Sequence, residues 1–248
     1  MSGGGLLAVI PARGGSKGLP GKNTRLFAGL PLIAHSILFA KMCPEITRCI
    51  VSTDSVEIAS VARQFGAEVP FLRPGELAQD ETPLWPVVRH ALETVEDQEG
   101  GHYDLVALLD PTSPARESAD LQKAVESLSQ RPIADGVVGV SRPSFNPIWH
   151  CVVEREGWMV DLVEAAPEVQ RRQEAPAIYR INGSLYVWRA TFVRREPHDW
   201  RRTGRHLLYE IPEARAMSID TPAQFHQAEW FVKSGGISLP WLSGTIAS

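Results

Sequence analysis

The sequence has little cysteine and no long apolar run, and each absence excludes a class of protein. Its three cysteines, Cys43, Cys49 and Cys151, show neither CxxC spacing nor a neighbouring pair of histidines. A disulfide framework or a zinc site is therefore not expected, and the pattern favours free thiols in a reducing, cytoplasmic environment. No stretch reaches the roughly 18 apolar residues of a membrane-spanning helix, and the N-terminus lacks the charged region of a signal peptide.

The chain also lacks an excess of positive charge. Its formal net charge is −4 at pH 7, which gives no general attraction to nucleic acid or to an anionic membrane. Any anion must therefore be held by a local cluster of positive groups. With 248 residues, 44% hydrophobic and 22% charged, the chain is long enough for one large α/β domain or two small ones.

Short aliphatic and β-branched runs recur through the first 140 residues and predict strands that are covered on both faces. The predicted strands are Leu6–Ile10, Cys49–Ser52, Glu68–Phe71, Leu105–Leu109 and Gly136–Val140, followed later by Ser184–Trp188 after a turn at Asn182–Gly183.

Helices with recognisable start signals are predicted between these strands. They are Ser55–Phe65 after an Asp54 cap, Leu84–Val95 after Thr82–Pro83, and Ala223–Ser234 after Thr221–Pro222. Alternating strands and helices indicate a mainly parallel sheet with helices on both faces. Ligands of such sheets bind outside the carboxyl ends of the strands, so chemistry is expected there.

The alternation stops at about Arg142. Segment 143–176 is rich in proline and mixed charge, and it contains a predicted hairpin, Cys151–Leu162, around Glu156–Gly157. This segment is interpreted as an insertion. The tail from Ile237 onward is expected to be a loosely packed end.

The first predicted strand leads into a loop, Arg13–Asn23, that we call the phosphate loop. Its eleven residues contain four glycines and the cations Arg13, Lys17 and Lys22. Glycine allows the main chain to approach a polyphosphate closely, and each cation adds a charge-assisted contact of roughly 1.5–3 kcal/mol. A P-loop is excluded because it needs glycine at the position of Ser16, and a GxGxxG dinucleotide motif is also absent. The loop therefore predicts a phosphate site, with a flexible basic surface loop as the alternative.

The stretch Ala12–Asn23 resembles the loop of CMP-sialic acid synthetases (acylneuraminate cytidylyltransferases), whose pattern is approximately ARxxSKGLPxKN. Further motifs similar to that family follow in order: Ile50–Asp54, Leu72–Ala78 with Asp80, Pro111–Pro114 with Arg116, Arg180, Asn182–Gly183 with Tyr186, and Ile219–Pro222. The resemblance covers about residues 5–233, so a single domain over 1–248 is expected. It implies a mainly parallel, Rossmann-like nucleotidyltransferase sheet, with 143–176 as a projecting arm that mediates a homodimer.

The resemblance implies transfer of CMP from CTP to the anomeric hydroxyl of a sialic-acid-type nonulosonic acid, with release of pyrophosphate. Lys22 and Arg13 would act on the triphosphate, with Lys22 near the α-phosphate. The implied nucleotide-binding residues are Ala12, Arg13, Gly14, Ser16, Lys22, Asn23, Arg73 and Thr82. The implied sugar-binding residues are Thr112, Ser113, Arg172, Asn182 and Tyr186.

One departure from the family concerns the acids taken to bind Mg²⁺. The last motif of the family usually reads Asp-Ile-Asp-Thr, whereas Ser218 takes the first position here and leaves Asp220 as the acid. Conversely, Asp110 stands where the family usually has Gln before Pro-Thr-Ser-Pro. We predict that Asp110 and Asp220 bind the metal together, since nucleotide-bound Mg²⁺ typically uses one or two carboxylates plus phosphates. The alternatives are a turn-forming Asp110 and an Asp220 that only stabilises a helix N-terminus.

A second departure concerns the acceptor. Asn146–Trp149 replaces a turn in which some family members carry a lysine that could pair with the sugar carboxylate, which leaves that role to Arg171, Arg172 or Arg180. This favours a bacterial nonulosonic acid such as legionaminate or pseudaminate. Three alternative functions stay open: a cytidylyltransferase for the eight-carbon acid KDO, a catalytically weak nucleotide-binding homologue, and a metabolic kinase, which the loop spacing disfavours.

Overall fold

A computed structural model describes residues 4–163, 176–196 and 198–242. Its strands are β1 Leu6–Pro11, β2 Leu26–Phe27, β3 Leu30–Pro31, β4 Ile46–Ser52, β5 Leu105–Leu108, β6 Gly136–Ser141, β7 Val152–Arg155, β8 Trp158–Asp161, β9 Arg180–Arg189 and β10 His206–Glu210. Its α-helices are α1 Leu32–Lys41, α2 Val56–Gln64, α3 Leu84–Glu99, α4 Ser118–Gln130, α5 Pro147–His150, α6 Ala190–Arg195, α7 Trp200–Thr203 and α8 Pro222–Lys233.

The main sheet of the described residues has the strand order β10-β6-β9-β5-β1-β4. β1 runs parallel to β4 and β5, and β10 runs parallel to β6. β9 is the reversed strand, antiparallel to both β5 and β6. The predicted mostly parallel sheet is therefore confirmed. Because β9 is reversed, its first residues lie at the edge where β5 and β6 end.

Helices cover both faces of the sheet, and β1 is buried over its whole length. Ala8 and Ile10 belong to one apolar cluster with α1, α2 and α4, while Leu7 and Val9 belong to a second cluster with α3 and α6. This division follows from the two-residue repeat of a strand. It explains why the predicted strands read as continuous apolar runs.

Two of the predicted helix starts are confirmed. Thr221 caps α8 with its side chain, and Gln224 completes a reciprocal capping box. Helix α3 begins after Pro83 as predicted but continues to Glu99, where Gly100, with a φ of 65°, ends it.

The predicted Asp54 cap of α2 is wrong. The Ser55 side chain accepts the hydrogen bond from the Ile58 amide at 3.3 Å and caps the helix instead. Asp54 accepts a hydrogen bond from the Gly14 amide at 3.0 Å. A carboxylate that could have capped a helix is thus used to hold the phosphate loop.

Two predicted details of the sheet are also wrong. The stretch Glu68–Phe71 does not form a strand; Glu68 makes one isolated parallel bridge with Ile50 of β4. Asn182–Gly183 is not a turn before a strand, because it lies inside β9 where the register with β6 shifts. Gly183, with a φ of 75°, permits this bulge.

The predicted hairpin in the inserted segment is confirmed. Strands β7 and β8 pair antiparallel around Glu156 and Gly157, which both have positive φ, 54° and 83°. Positive φ at both central residues suits the right-handed twist of the flanking strands. The remainder of the predicted arm, including Arg171 and Arg172, lies outside the described residues.

The described part of the tail, up to residue 242, is packed, which corrects the expectation of a loose end. Ile237 and Leu239 are buried in an apolar cluster that also contains Phe27. The Trp241 indole N–H donates to Nδ1 of His35 at 2.9 Å. The sequence did not reveal this packing because the residues that the tail contacts lie far away along the chain.

The cysteines carry free thiols, as predicted. Burial raises the pKa of the Cys43 and Cys49 thiols to about 12, which makes both poor nucleophiles. Over the ranges that the structure covers, no helix combines the length and apolarity needed to cross a membrane.

Candidate active site

A cavity of about 320 Å³ opens beyond the carboxyl ends of β1 and β5, at the edge where α/β sheets bind ligands. Its wall combines the phosphate loop, the segment that leads into α3, the loop after β5 and the segment before α8. The lining residues are Pro11, Arg13, Ser16, Lys17, Gly18, Leu19, Lys22, Asn23, Arg73, Leu77, Gln79, Asp80, Thr82, Leu84, Val87, Asp110, Thr112 and Asp220. Most of the predicted nucleotide-binding residues and both predicted metal ligands thus meet at one place.

The phosphate loop has a shape set by its own hydrogen bonds. The Asn23 side-chain amide donates to the Arg13 carbonyl at 3.1 Å and ties the two ends of the loop together. Gly21 adopts a φ of 65° in the turn where the Lys22 amide donates to the Leu19 carbonyl. The loop therefore presents its cations from a folded turn.

The segment 218–221 before α8 connects the phosphate loop to the loop after β5. A Cβ added to Gly18 would lie 2.5 Å from the Asp220 carbonyl oxygen, so the two backbones are in close contact. The Ile219 amide donates to the Thr112 carbonyl at 2.9 Å. Three walls of the cavity are therefore held in a fixed relation by backbone contacts.

Every cation of the phosphate loop is paired with an acid from another segment. Lys22 Nζ lies 2.8 Å from Asp220 Oδ1, and its side chain is 13% exposed. Arg13 Nη1 lies 2.5 Å from Asp80 Oδ1, and Lys17 pairs with the other oxygen of Asp80. The cations of the loop are thus already arranged to bind anions, and carboxylates occupy positions that phosphates could take.

Arg73 is a buried cation with open hydrogen-bond donors. It is 5% exposed, and its Nε and Nη2 lack a hydrogen-bond acceptor among the described residues, although Nη2 lies 3.7 Å from Asp54 Oδ1. Burial lowers the pKa of Arg73, and Asp54 opposes that shift. Leu77, Leu84 and Val87 line the same cavity. A planar base with an acceptor edge and apolar faces would satisfy these groups.

The two predicted metal ligands line the cavity in different hydrogen-bonding states. Asp110 Oδ1 accepts from the Thr112 amide at 3.0 Å and from its hydroxyl at 2.9 Å, so the turn-forming geometry is present. Asp110 Oδ2 accepts no hydrogen bond from another described residue. Asp220 accepts from Lys22 on Oδ1 and from the Ser218 hydroxyl on Oδ2, at 2.6 Å. Burial opposes the charge of Asp220, but these two hydrogen bonds outweigh it and lower its pKa.

A buried arginine supports the loop that carries Asp110. Arg116 is 1% exposed and donates to the Asp110 carbonyl at 2.5 Å and to the Ser36 hydroxyl at 2.9 Å. Its guanidinium also lies over the Phe39 ring, 5.4 Å from the centroid. Burial lowers the pKa of Arg116 to about 10, so it keeps its charge at neutral pH. The resemblance marked Arg116 as a motif residue but gave it no role.

Among the predicted sugar-binding residues, Thr112 lines the cavity, whereas Asn182 is turned into the protein. Asn182 is 3% exposed, donates to the Ser141 hydroxyl at 2.9 Å and accepts from the Ser184 amide at 3.0 Å. These bonds hold the bulge of β9. The structure therefore gives Asn182 a role in the sheet and does not bring it to the cavity. Ser113 is likewise buried and off the cavity wall.

Tyr186 is not on the wall of the cavity, and it pairs with Leu108 at the end of β5. Its ring stacks on Trp188 at 5.1 Å and meets the edge of Trp200 at 5.7 Å. Burial raises the pKa of Tyr186 to about 12, with a further contribution from Asp110 that Arg201 opposes. Tyr186 is therefore an uncharged group near the loop after β5, and its sugar-binding role stays a prediction.

The predicted partners of a sugar carboxylate are Arg171, Arg172 and Arg180. Arg171 and Arg172 lie outside the described residues. Arg180 donates to both Glu213 carboxylate oxygens at 2.9–3.1 Å and to the Ala216 carbonyl at 3.0 Å. A sugar carboxylate would have to displace Glu213 to bind Arg180.

Two backbone amides that were predicted to bind the nucleotide instead donate hydrogen bonds within the protein. Two acids that contact the phosphate loop were also missed. The Ala12 amide donates to the Ser52 carbonyl, and the Gly14 amide donates to Asp54. Sequence reasoning assigned Asp54 to a helix cap and gave Asp80 no role, although both bind the phosphate loop. Their presence in motifs of the resembling family was the available signal.

No group of three or more His, Cys, Asp or Glu side chains in the described ranges is arranged to hold a metal ion. A divalent cation would therefore depend on Asp110, Asp220 and ligands from the substrate. Both acids line the same cavity, and carboxylate oxygens suit Mg²⁺. The residues present fit a nucleotide-bound Mg²⁺.

The fold is shared with solved cytidylyltransferases. A CMP-2-keto-3-deoxy-manno-octonic acid synthetase in complex with CTP superposes with a TM-score of 0.69 at 18% identity, covering 93% of this chain and 99% of that one. A 4-diphosphocytidyl-2C-methyl-D-erythritol synthase from Anaerococcus prevotii gives a TM-score of 0.66 at 12% identity, with 94% and 100% covered. At these identities the similarity establishes the fold alone.

Three other proteins have a higher sequence identity to this chain than these solved structures do. The chain is 39% identical to the CMP-N,N'-diacetyllegionaminic acid synthase of Legionella pneumophila, covering 90% of this chain and 94% of that protein. It is 39% identical to the pseudaminic acid cytidylyltransferase of Campylobacter jejuni, covering 87% and 90%. It is 30% identical to an N-acylneuraminate cytidylyltransferase of Streptococcus agalactiae and spans 51% of that longer protein.

Residues 7–231 match a family model described as Cytidylyltransferase. The matched range begins in β1, includes the phosphate loop and both acids, and ends within α8. This chain therefore belongs to the cytidylyltransferase family.

Proposed function

We propose that this chain transfers CMP from CTP to the anomeric hydroxyl of a nonulosonic acid and releases pyrophosphate. The observation that carries the proposal is the cavity lined by Arg13, Lys22 and Arg73 together with Asp110 and Asp220. The cations suit a triphosphate and a nucleobase, and the acids suit the divalent ion that accompanies a nucleotide. Family membership and the names of the relatives support the same reaction.

In the proposed reaction the anomeric oxygen attacks the α-phosphorus in line and forms a new O–P bond. The bond from the α-phosphorus to the bridging oxygen breaks, its electron pair leaves with pyrophosphate, and the hydroxyl proton passes to solvent. Positioning and charge neutralisation do most of the work in such transfers. Lys22 would neutralise charge at the α-phosphate, and Arg13 would hold the outer phosphates.

Mg²⁺ is part of the proposal, with Asp110 and Asp220 as its protein ligands. When bound, the ion supplies positive charge that offsets charge developing on the phosphate oxygens. The Lys22–Asp220 pair would separate as nucleotide enters, which releases Lys22 for phosphate and one Asp220 oxygen for the ion. Ser218 would keep the other oxygen of Asp220 in place through its 2.6 Å hydrogen bond.

Pyrophosphate release tests the proposed reaction. The protein is incubated with CTP and Mg²⁺ and, in turn, with sialic, legionaminic, pseudaminic or KDO acid, with and without a chelator. We expect release with at least one nine-carbon acid, little with KDO, and none after chelation. CTP binding without release across the whole panel would instead support a catalytically weak nucleotide-binding protein, and release with KDO alone would reassign the acceptor.

We also propose that the chain acts as a homodimer through the arm 143–176. In the described part of the arm, Trp158 and Met159 are 75% and 77% exposed and, as successive strand residues, lie on opposite faces of the hairpin, so a partner could bury apolar surface on either face. Light scattering should show a dimer for the wild type and a shift to monomer for Trp158→Ser combined with Met159→Ser. A wild-type monomer at micromolar concentration would contradict this part of the proposal.

A further inference from the structure

We propose that Asp80 is an internal competitor of the phosphates, which weakens the binding of pyrophosphate to the site and speeds the release of this product. This inference deepens the proposed function and rests on it. It concerns a residue to which neither the sequence motifs nor the reaction assign a role.

Asp80 occupies the cations that the outer phosphates would need. One carboxylate oxygen lies 2.5 Å from Arg13 Nη1, and the other pairs with Lys17. A carboxylate matches the charge and the oxygen spacing of a phosphate edge, so Asp80 and a phosphate cannot hold both cations together. The hydrogen bond from Lys17, with further contributions from both cations, lowers the pKa of Asp80 and keeps it ionised.

Apart from the ion pairs of Asp80, the segment that carries it is hydrogen-bonded, among the described residues, within itself and not to the phosphate loop. The hydrogen bonds of Gly75–Thr82 stay within Pro74–Thr82 in the described structure: the Gln79 side chain donates to the Gly75 carbonyl, and the Thr82 hydroxyl donates to the Glu76 carbonyl. The ion pairs of Asp80 are thus the polar links from this segment to the phosphate loop. Exchanging them for phosphate contacts leaves the segment's own hydrogen bonds intact.

The competition costs substrate and product the same binding free energy but leaves them with different affinities. CTP would also be held through its base and its α-phosphate, at Arg73 and Lys22. The binding free energy of these contacts offsets the cost of displacing Asp80. Pyrophosphate is held through the outer-phosphate cations, Arg13 and Lys17, which Asp80 reclaims when the product departs. Asp80 therefore lowers both affinities by the same factor, but CTP remains bound through its other contacts whereas pyrophosphate becomes a weak ligand.

The test compares Asp80→Asn with Glu81→Gln, which removes the same charge from the next residue. Glu81 is exposed and makes no ion pair with another described residue, so it controls for the general loss of negative charge. Calorimetry with pyrophosphate and Mg²⁺ should give a dissociation constant about three- to tenfold lower for Asp80→Asn, the scale of one or two exposed ion pairs. Glu81→Gln should match the wild type. Steady-state assays should show the same increase in product inhibition by pyrophosphate.

The sign of the change separates competition from a structural role. A residue that only shapes the loop would weaken pyrophosphate binding when replaced, and unchanged or weaker binding in Asp80→Asn overturns the inference. Asp80→Ser serves as a second variant, and thermal unfolding confirms that each variant is folded. A wild-type protein that binds neither CTP nor pyrophosphate would overturn the proposed function as well, whereas binding by the wild type with no gain in either Asp80 variant defeats this inference alone.

Discussion

Lys22 is much more enclosed than its neighbour in the same loop, since its side chain is 13% exposed against 84% for Lys17. Its ammonium group reaches Asp220, a residue 198 positions away in the sequence. An enclosed charge is screened less by water and salt than an exposed one. The two lysines therefore have the same chemistry but different expected contributions to catalysis.

Lys22→Ala is expected to lower kcat by roughly 10²–10³, the scale of losing one preorganised electrostatic donor. Lys17→Ala removes the same charge from an exposed position and should change kcat by less than about tenfold. Initial rates of pyrophosphate release at saturating CTP measure both effects. Near-wild-type turnover of Lys22→Ala would remove the role assigned to Lys22.

The proposed metal role of Asp110 can be tested separately from its turn-forming role. Asp110→Asn keeps an oxygen that can accept the hydrogen bonds from Thr112, but it removes the negative charge. We expect the Mg²⁺ concentration for half-maximal activity to rise about ten- to a hundredfold, the scale of one charge-assisted contact. Asp97→Asn, an exposed acid outside the cavity, provides the control. Chelator-sensitive turnover at the wild-type rate and Mg²⁺ dependence in Asp110→Asn would remove Asp110 from the site.

At the residue level, the sequence predicts the cations better than their partners. Glycine and positive charge after the first strand predicted the phosphate loop, because both signals are local. The pairings of Arg13 with Asp80 and of Lys22 with Asp220 join segments that are distant in sequence, so no local pattern encodes them. Asp54 was misassigned for the same reason, since its contact with Gly14 is tertiary.

Among the secondary-structure elements, the phosphate loop packs on the segment before α8 through glycine. An added Cβ on Gly18 would lie 2.5 Å from the Asp220 carbonyl oxygen, whereas one on Gly15 would meet no atom within 4 Å. Gly18→Ala should therefore separate the loop from Asp220 and lower kcat/KM for CTP by at least about tenfold, because an ångström-scale misplacement is costly in transfer reactions. Gly15→Ala should stay within about threefold of the wild type. Equal activity of the two variants would show that this contact does not position the site.

The tail and helix α1 meet at a buried histidine whose titration should be visible in stability. His35 Nε2 donates to the Phe27 carbonyl at 2.8 Å while Nδ1 accepts from Trp241, an arrangement that requires the neutral ring. Burial lowers the pKa of His35 from 6.5 to about 4. Between these values the unfolded chain binds the extra proton, so stability is complete above about pH 6.5 and falls as pH decreases toward 4.

The His35 contribution to this loss is about 3 kcal/mol, from 1.36 kcal/mol per pKa unit. Urea unfolding of the wild type, His35→Gln and the exposed control His226→Gln between pH 7 and pH 4.5 measures it. His35→Gln should be less stable at pH 7, because it loses a well-packed ring, but should lose less stability on acidification. A wild-type and a His35→Gln profile of equal slope would contradict the buried neutral state of His35.

Element boundaries were predictable where a local cap or breaker marks them. Thr221 with Pro222 and the Pro83 start of α3 are signals of this kind, and both are confirmed. Asn182–Gly183 has the composition of a turn but forms a bulge, because β9 pairs with β6 both before and after it. The burial of Ile237 could not be read from the sequence, since it depends on a tertiary partner cluster.

For the whole molecule, the sheet gathers segments from the beginning, the middle and the end of the chain into one cavity. The rule that ligands bind beyond the carboxyl ends of parallel strands predicted where Arg13 and Asp110 would meet. The reversal of β9 was not predicted, and it explains why Asn182 belongs to the sheet while Tyr186 lies near the end of β5. The meeting of the phosphate loop with Asp110 and Asp220 could thus be predicted, whereas the positions of Asn182 and Tyr186 depend on tertiary contacts that no local pattern encodes.

We propose that the cavity holds the triphosphate on Arg13 and Lys22 and a divalent ion between Asp110 and Asp220. Diffraction from crystals grown with a non-hydrolysable CTP analogue and Mn²⁺, recorded at the manganese edge, tests it most directly. We expect an anomalous peak within coordination distance of both carboxylates, phosphate oxygens on the two cations, and the base beside Arg73. A triphosphate bound elsewhere, or a manganese site that involves neither acid, would contradict it.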